Sequence, residues 1–141
     1  MSTVFSKIID RELPGRIIWE DEQVVAFFTI EPLAYGHTLL VPRAEIDHWV
    51  DLPQELAAHL FAVAQKISQG LDKAFAPQRV GFMIAGFDVP HTHLHLWPAN
   101  SQAEFSFEAV NRAPEADKMD EAADKLRAAL TELGYGDFVA S

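Results

Sequence analysis

His91-Thr92-His93-Leu94-His95-Leu96-Trp97-Pro98 places three imidazoles at alternate positions. Alternation of this kind fits an extended strand, whose period of two sends His91, His93 and His95 to one face and Thr92, Leu94 and Leu96 to the other. One face then carries chemistry and the other packs. The chain holds six histidines in all, and random placement seldom sets three of them in such a row.

Two chemistries suit the row. Neutral imidazoles converging on a point bind zinc or another first-row metal, and His91 with His93 is the pair spaced for it. Alternatively, one imidazole attacks phosphorus while its neighbours hold the non-bridging oxygens. The ends of the row lie about 13 Å apart at Cα on a strand, so one ion is a poor match for all three rings and an extended phosphate a better one.

Working outward, residues 79–98 read as two antiparallel strands, Val80 to Ala85 and His91 to Trp97, joined by the loop Gly86-Phe87-Asp88-Val89-Pro90. Upstream, Arg16 to Glu20 and Val24 to Ile30 flank the acidic turn Glu20-Asp21-Glu22 as a hairpin, and His37 to Pro42 forms a further strand stopped by proline. Phe5 to Glu12 reads as a short helix ended by Pro14-Gly15. Pro53 suits the first turn of a long helix carrying Leu56, Leu60, Phe61, Ala64, Ile67, Leu71 and Phe75 on one stripe. After a polar, irregular stretch, Met119, Ala123, Leu126, Leu130 and Leu133 mark a C-terminal helix that Gly134 can end. Five strands with helices inserted late predict an α+β fold with an antiparallel sheet, one long helix, a short N-terminal helix and a C-terminal helix, in a single domain over residues 1–141.

Composition narrows the function. Apolar residues make up 49% and charged residues 23% of the 141, the balance of a folding globular chain. Without cysteine there is no disulfide, thiolate zinc site or cysteine nucleophile. A net charge of −10 without a basic run argues against nucleic acid and anionic bilayers as partners. Neither a membrane-length apolar run nor a signal core in residues 1–14 is present, so a cytoplasmic location is expected. His48 and His59 read as solvent-facing.

The run His91 to His95, with its following apolar residues and Pro98, resembles the histidine-triad motif. Phe5-Ser6-Lys7-Ile8-Ile9, Trp19-Glu20-Asp21, Val25-Ala26-Phe27 and the run from Pro32 to Pro42 (PLAYGHTLLVP) resemble the same family, in the same order. The resemblance covers about residues 4–98 and leaves the tail uncovered. It implies a HIT-like fold and a hydrolase or nucleotidyl transferase that cleaves at the α-phosphate of a nucleoside phosphoramidate, acyl-adenylate or dinucleoside polyphosphate. His93 would be the nucleophile and carry a covalent nucleotide, with its far ring nitrogen donating to a carbonyl of the neighbouring strand. His95 would contact phosphate oxygens, and His91 with His37 would form a polar network behind the nucleophile.

The resemblance also implies a purine nucleotide whose base lies between the N-terminal segment and the first hairpin, at Phe5, Ile8, Phe27, Thr29 and Ile30, with Asp88 and Val89 on the phosphate side. By composition alone Phe5, Ile8 and Phe27 read rather as ordinary core. Thr29 departs from the Asp or Asn usual in relatives. The segment Ile84 to Pro90 looks shorter than their phosphate-side loop, which carries Gln and Ser or Thr near Phe87 and Asp88. Many relatives hold a structural zinc through a Cys-x-x-Cys pair; Thr3 and Ser6 occupy those positions, so no zinc, and no other cofactor, is expected. A symmetric homodimer is expected. Two other functions stay open: a non-catalytic nucleotide-sensing or interaction module, and a metal enzyme using His91 and His93.

Overall fold

The chain builds one five-stranded antiparallel sheet and lays its two longer helices on a single face. The computed structural model describes residues 2–140; Met1 and Ser141, the ends of the expected domain, lie outside the described residues. The strands are β1 (Ile17–Glu20), β2 (Val24–Phe28), β3 (Thr38–Pro42), β4 (Arg79–Met83) and β5 (Leu94–Ala99), in the order β1-β2-β3-β5-β4. The helices are α1 (Val4–Ile9), α2 (Gln54–Phe75) and α3 (Ala116–Leu130). The α+β architecture read from the sequence is therefore the observed one.

Alternation along the strands sorts the core into two sides. Ile18, Val24, Ala26, Phe28, Leu40, Leu94 and Leu96 face α2 and α3, where Leu60, Val63, Ala64, Ile67, Leu71, Met119, Ala123, Leu126 and Leu130 meet them. Ile17, Val25, Phe27, Leu39 and Val41 point the other way and are covered by α1 through Phe5 and Ile9. Leu39 pairs with His95 across β3 and β5, so the histidine row lies on the α1 side.

Several boundaries differ from the sequence reading. β5 begins at Leu94, not His91: the His91 N–H bonds to Val89 O at 2.8 Å in a turn, and the Thr92 N–H bonds to Ile46 O at 2.7 Å. These partners hold residues 91–93 off the ladder. Phe61, placed on the buried stripe by its spacing, is 64% exposed. Val63 and Gly70 fill that stripe instead. Leu133 is also partly exposed, because α3 ends at Leu130 and runs into a wide turn in which Gly134 takes φ +96°. The tail proves ordered: short 3-10 turns occupy Gln102–Phe105 and Phe107–Ala109, and the Ala140 N–H bonds to Ile18 O at the β1 edge. Among the described residues, no helix is long and apolar enough to cross a membrane.

Candidate active site

Four histidines converge on the α1 side of the sheet, and all four are largely buried: His37 2%, His91 0%, His93 6% and His95 8% exposed. The His93 and His95 ring centroids are 4.9 Å apart, and both rings line a cavity of about 340 Å³ together with His37, Thr29, Glu31, Asp88, Phe107 and Arg112. The row anticipated from the sequence is present, although its first members stand outside the strand.

Backbone groups fix the proton on each ring. The His91 carbonyl can only accept, so at 2.7 Å it holds the proton of His93 on Nδ1 and leaves a lone pair on Nε2. The acceptor thus comes from two residues upstream in the same segment rather than from the neighbouring strand. It is available because residues 91–93 make no ladder hydrogen bonds. The Leu33 N–H donates to His37 Nδ1 at 2.9 Å; the His37 proton therefore sits on Nε2 and points at His95 Nδ1, 2.9 Å away. His95 in turn carries its own proton on Nε2. Neither His93 Nε2 nor His95 Nε2 has a hydrogen-bond partner among the described residues, and neither belongs to the polar atoms sealed from solvent. The cavity thus receives one lone pair and, beside it, one N–H donor.

Burial keeps these rings uncharged. Desolvation, followed by the neighbouring His95 and His93 rings, pushes His37 down to about 3. Desolvation and then His93 push His95 down to about 4. His93 is also lowered, mainly by burial, against the opposing effect of its bond to the His91 carbonyl. Close-packed buried imidazoles cannot hold several charges at once, so His37, His93 and His95 are neutral near pH 7.

His91 and His37 serve different neighbours, which corrects the single supporting network expected from the sequence. His37 bonds to His95. His91 bonds through Nε2 to Pro42 O and through Nδ1 to Thr3 Oγ1, each at 2.7 Å, and contributes its carbonyl to His93. With both of its ring nitrogens engaged, His91 has no free lone pair for a metal shared with His93. Among the described residues, no group of three or more His, Cys, Asp and Glu side chains is arranged to hold one.

Of the residues assigned to a nucleotide, Thr29 and Asp88 line the cavity. Phe5 and Phe27 are buried in edge-to-face contact, and the Phe5 ring stands 4.8 Å from that of His93. Ile8 and Val89 are half-buried beside them, and Ile30 is 80% exposed. These five lie outside the cavity lining. His48 is exposed, whereas His59 is only partly so and bonds to Asp21 at 2.8 Å.

Sequence reasoning missed Arg112, and left Phe107, with Phe105, as a tail aromatic that could cover either the site or a dimer seam. Phe107 covers His95 at 4.9 Å between ring centroids, and Arg112 pairs with Glu31 at 3.1 Å on the rim. No periodic pattern marks them, since they come from 3-10 turns and loop. Phe107, one of the tail aromatics in an otherwise polar stretch, was the available signal.

Known proteins share the sequence pattern and the fold. The HIT domain family model matches residues 10–102. An uncharacterized HIT-like protein of Borreliella burgdorferi is 33% identical over 116 residues, covering 77% of this chain and 84% of that protein. The protein hit of Bacillus subtilis is 33% identical over 100 residues, covering 67% and 69%. Among solved structures, a zinc-bound histidine triad family protein from Mycobacterium smegmatis superposes with a TM-score of 0.82 at 31% identity, over 95% of this chain and 96% of that one. A match across well over half the sequence, on a fold that brings His93 and His95 of the triad to one cavity, makes this chain a member of the HIT domain family.

Proposed function

We propose that the protein is a nucleotide hydrolase or nucleotidyl transferase in which His93 attacks the α-phosphorus of a purine nucleotide derivative. The observation that carries this reading is the lone pair of His93 Nε2, left facing the cavity because the His91 carbonyl holds the other nitrogen's proton. A neutral imidazole so held needs no deprotonation before it attacks. As the Nε2–P bond forms, the bond from phosphorus to the leaving group breaks. The leaving group departs with the electron pair and takes a proton from water. A second water then attacks phosphorus, yields its proton to the hydroxide left by the first, and releases the nucleoside monophosphate as the N–P electron pair returns to His93. The His95 Nε2–H donates to the non-bridging oxygens as charge builds on them, a contribution largest in a site that is already oriented and dry.

Thr29 accepts the Glu31 N–H at 3.3 Å, so its own hydroxyl proton is free for a ribose oxygen at the cavity wall. The base then extends toward Ile30, with Phe5, Ile8, Phe27 and Val89 as the floor beneath the site, and Asp88 stands on the phosphate side. The substrate classes are nucleoside phosphoramidates, acyl-adenylates and dinucleoside polyphosphates. The protein acts as a cytoplasmic homodimer. In support, the edge strand β4 carries Phe82, 42% exposed, against Phe61, 64% exposed, a paired apolar surface suited to a second copy.

The deciding experiment incubates the protein with a panel of adenosine and guanosine phosphoramidates, acyl-adenylates and dinucleotides and measures nucleoside monophosphate release. Release by the wild type, its loss in His93→Asn with nucleotide binding retained, and an acid-labile nucleotide on His93 in quenched reactions are expected. Turnover by His93→Asn would remove the nucleophile. Binding without release across the panel would favour a nucleotide-sensing module.

A further inference from the structure

The N-terminal helix is tied to the active site by a set of hydrogen bonds that spans distant parts of the chain. Thr3 caps α1, its Oγ1 accepting the Ser6 N–H at 3.1 Å. The same hydroxyl lies 2.7 Å from His91 Nδ1. Because the Pro42 carbonyl can only accept, a proton of the His91 ring sits on Nε2, and the Thr3 hydroxyl is the partner of Nδ1. From the other side, Glu45 Oε1 accepts both the Ser6 hydroxyl, at 2.5 Å, and the Thr3 N–H, at 2.9 Å. A carboxylate accepting from a hydroxyl and an amide makes the stronger, charge-assisted kind of hydrogen bond.

Thr3 and Ser6 occupy the positions at which relatives carry the Cys-x-x-Cys pair of a structural zinc, so the fit of that metal to these residues can be judged. Structural zinc sites are built from thiolate sulfur and imidazole nitrogen, with carboxylate oxygen as a lesser ligand. Here two neutral hydroxyls replace the thiolates, and both nitrogens of the one imidazole nearby are already engaged by Thr3 and Pro42. The residues do not fit zinc.

We propose that Thr3, Ser6 and Glu45 form a metal-free latch that docks α1 onto His91 and thereby positions the nucleophile. The latch touches no reacting atom. It acts through two links: the His91 carbonyl, which fixes the proton of His93 at 2.7 Å, and the Phe5 ring, held by α1 against the His93 ring at 4.8 Å. Rotating His91 or lifting α1 would loosen both, and an ill-held imidazole loses the alignment on which in-line attack depends. Thr3 and Glu45 are positioning residues in this scheme, which rests on the function proposed above.

The test uses the full-length protein and three variants, Thr3→Val, Thr3→Ser and Glu45→Gln, with two independent readouts. The first is structural: hydrogen–deuterium exchange of the α1 amides and the 15N shift of His91 Nδ1 by NMR. Thr3→Val is expected to speed α1 exchange and to move the Nδ1 resonance, Thr3→Ser to restore both, and Glu45→Gln to speed α1 exchange alone. The second is kinetic: Thr3→Val is expected to lower kcat by about 3- to 10-fold with little change in KM, the effect of one lost neutral hydrogen bond acting on orientation. Chelator treatment of the wild type should alter neither readout. Unchanged exchange and an unmoved Nδ1 resonance in Thr3→Val would overturn the latch. Stoichiometric zinc in the purified protein, lost on chelation together with α1 protection, would overturn its metal-free character. If the wild type releases no nucleotide at all, the proposed function fails, yet the exchange and NMR arms still decide the latch.

Discussion

His37 Nε2 and His95 Nδ1 lie 2.9 Å apart, and the Leu33 N–H that donates to His37 Nδ1 decides which of the two nitrogens carries the proton. One backbone amide thus sets the tautomer of a ring two residues removed in the relay, and the consequence is an N–H on His95 presented to the cavity. His37→Phe keeps the ring volume and removes the donor, leaving the His95 Nδ1 lone pair buried without a partner. His95 is then free to place its proton on either nitrogen. We expect kcat for nucleotide release to fall about 10-fold while KM changes little. His37→Gln, whose amide can still donate to Nδ1, should retain more activity in the same steady-state assay. Equal losses in the two variants would show that His37 matters for packing rather than for the tautomer.

Burying neutral histidines makes stability depend on pH in a definite direction. His37 has a folded-state value near 3 against an ordinary 6.5, lowered first by desolvation and then by His95 and His93. Between those two values the unfolded chain binds a proton that the folded chain refuses. Stability is therefore undiminished above about pH 6.5, falls progressively as the pH drops, and stops falling from this cause only near pH 3. His95, near 4, adds loss of the same sign. Thermal melts from pH 7.5 to 4.5 should show Tm declining, with a shallower decline in His37→Phe. Parallel slopes would place the acid sensitivity in other groups.

The path from sequence to site was legible where periodicity governs structure and illegible where single hydrogen bonds do. The alternation from Leu94 onward fixed which side of the sheet carries imidazole, because Leu94 and Leu96 must reach the helix-covered core. Apolar spacing likewise located α2 and α3. The same alternation could not reveal that His91 to His93 leave the ladder, since that depends on Ile46 and Val89 carbonyls brought near by loops. Phe61 misled for a related reason: helical spacing reports an apolar stripe without saying whether its edge faces this chain's core. Thr29 and Asp88, named only through the family resemblance, line the cavity, whereas Phe107 and Arg112 arrive through a tail whose course follows the hydrogen bonds of individual residues, such as the Asn111 N–H to Pro32 O at 2.8 Å.

Gly81 on β4 allows the Trp97 indole to lie flat across the strand. A Cβ built at this position would stand 2.5 Å from Trp97 Cε2 and Cζ2, inside any real contact distance. Trp97 is fully buried, packs 5.6 Å from the His37 ring and is covered by Phe105 at 4.8 Å, so it has little room to retreat. Gly81→Ala is expected to cost about 1–3 kcal/mol of stability, the usual penalty for overpacking. Chemical denaturation of the variant should show a lower midpoint at an unchanged slope. A midpoint within error of the wild type would mean that β4 shifts to make room.

The tail's contact with the site predicts a change in pH profile. Phe107 stands 4.9 Å from His95 and lines the same cavity, so its ring excludes water from one side of the imidazole. Desolvation is the larger of the two causes that hold His95 near 4, the neighbouring His93 being the other. Phe107→Ala should readmit water, relieve the first cause and leave the second, moving His95 upward toward its ordinary 6.5. If catalysis requires neutral His95, with one proton on Nε2 and a lone pair on Nδ1 toward His37, the acid limb of kcat/KM must move upward with it. Activity at pH 5 should then drop in the variant while activity at pH 7.5 is little altered. The profile measured from pH 4 to 8, with an NMR titration of the His95 ring alongside, checks both halves of the prediction. A limb that stays in place while the ring titrates at higher pH would separate His95 from the rate-controlling ionisation and leave His93 to account for it.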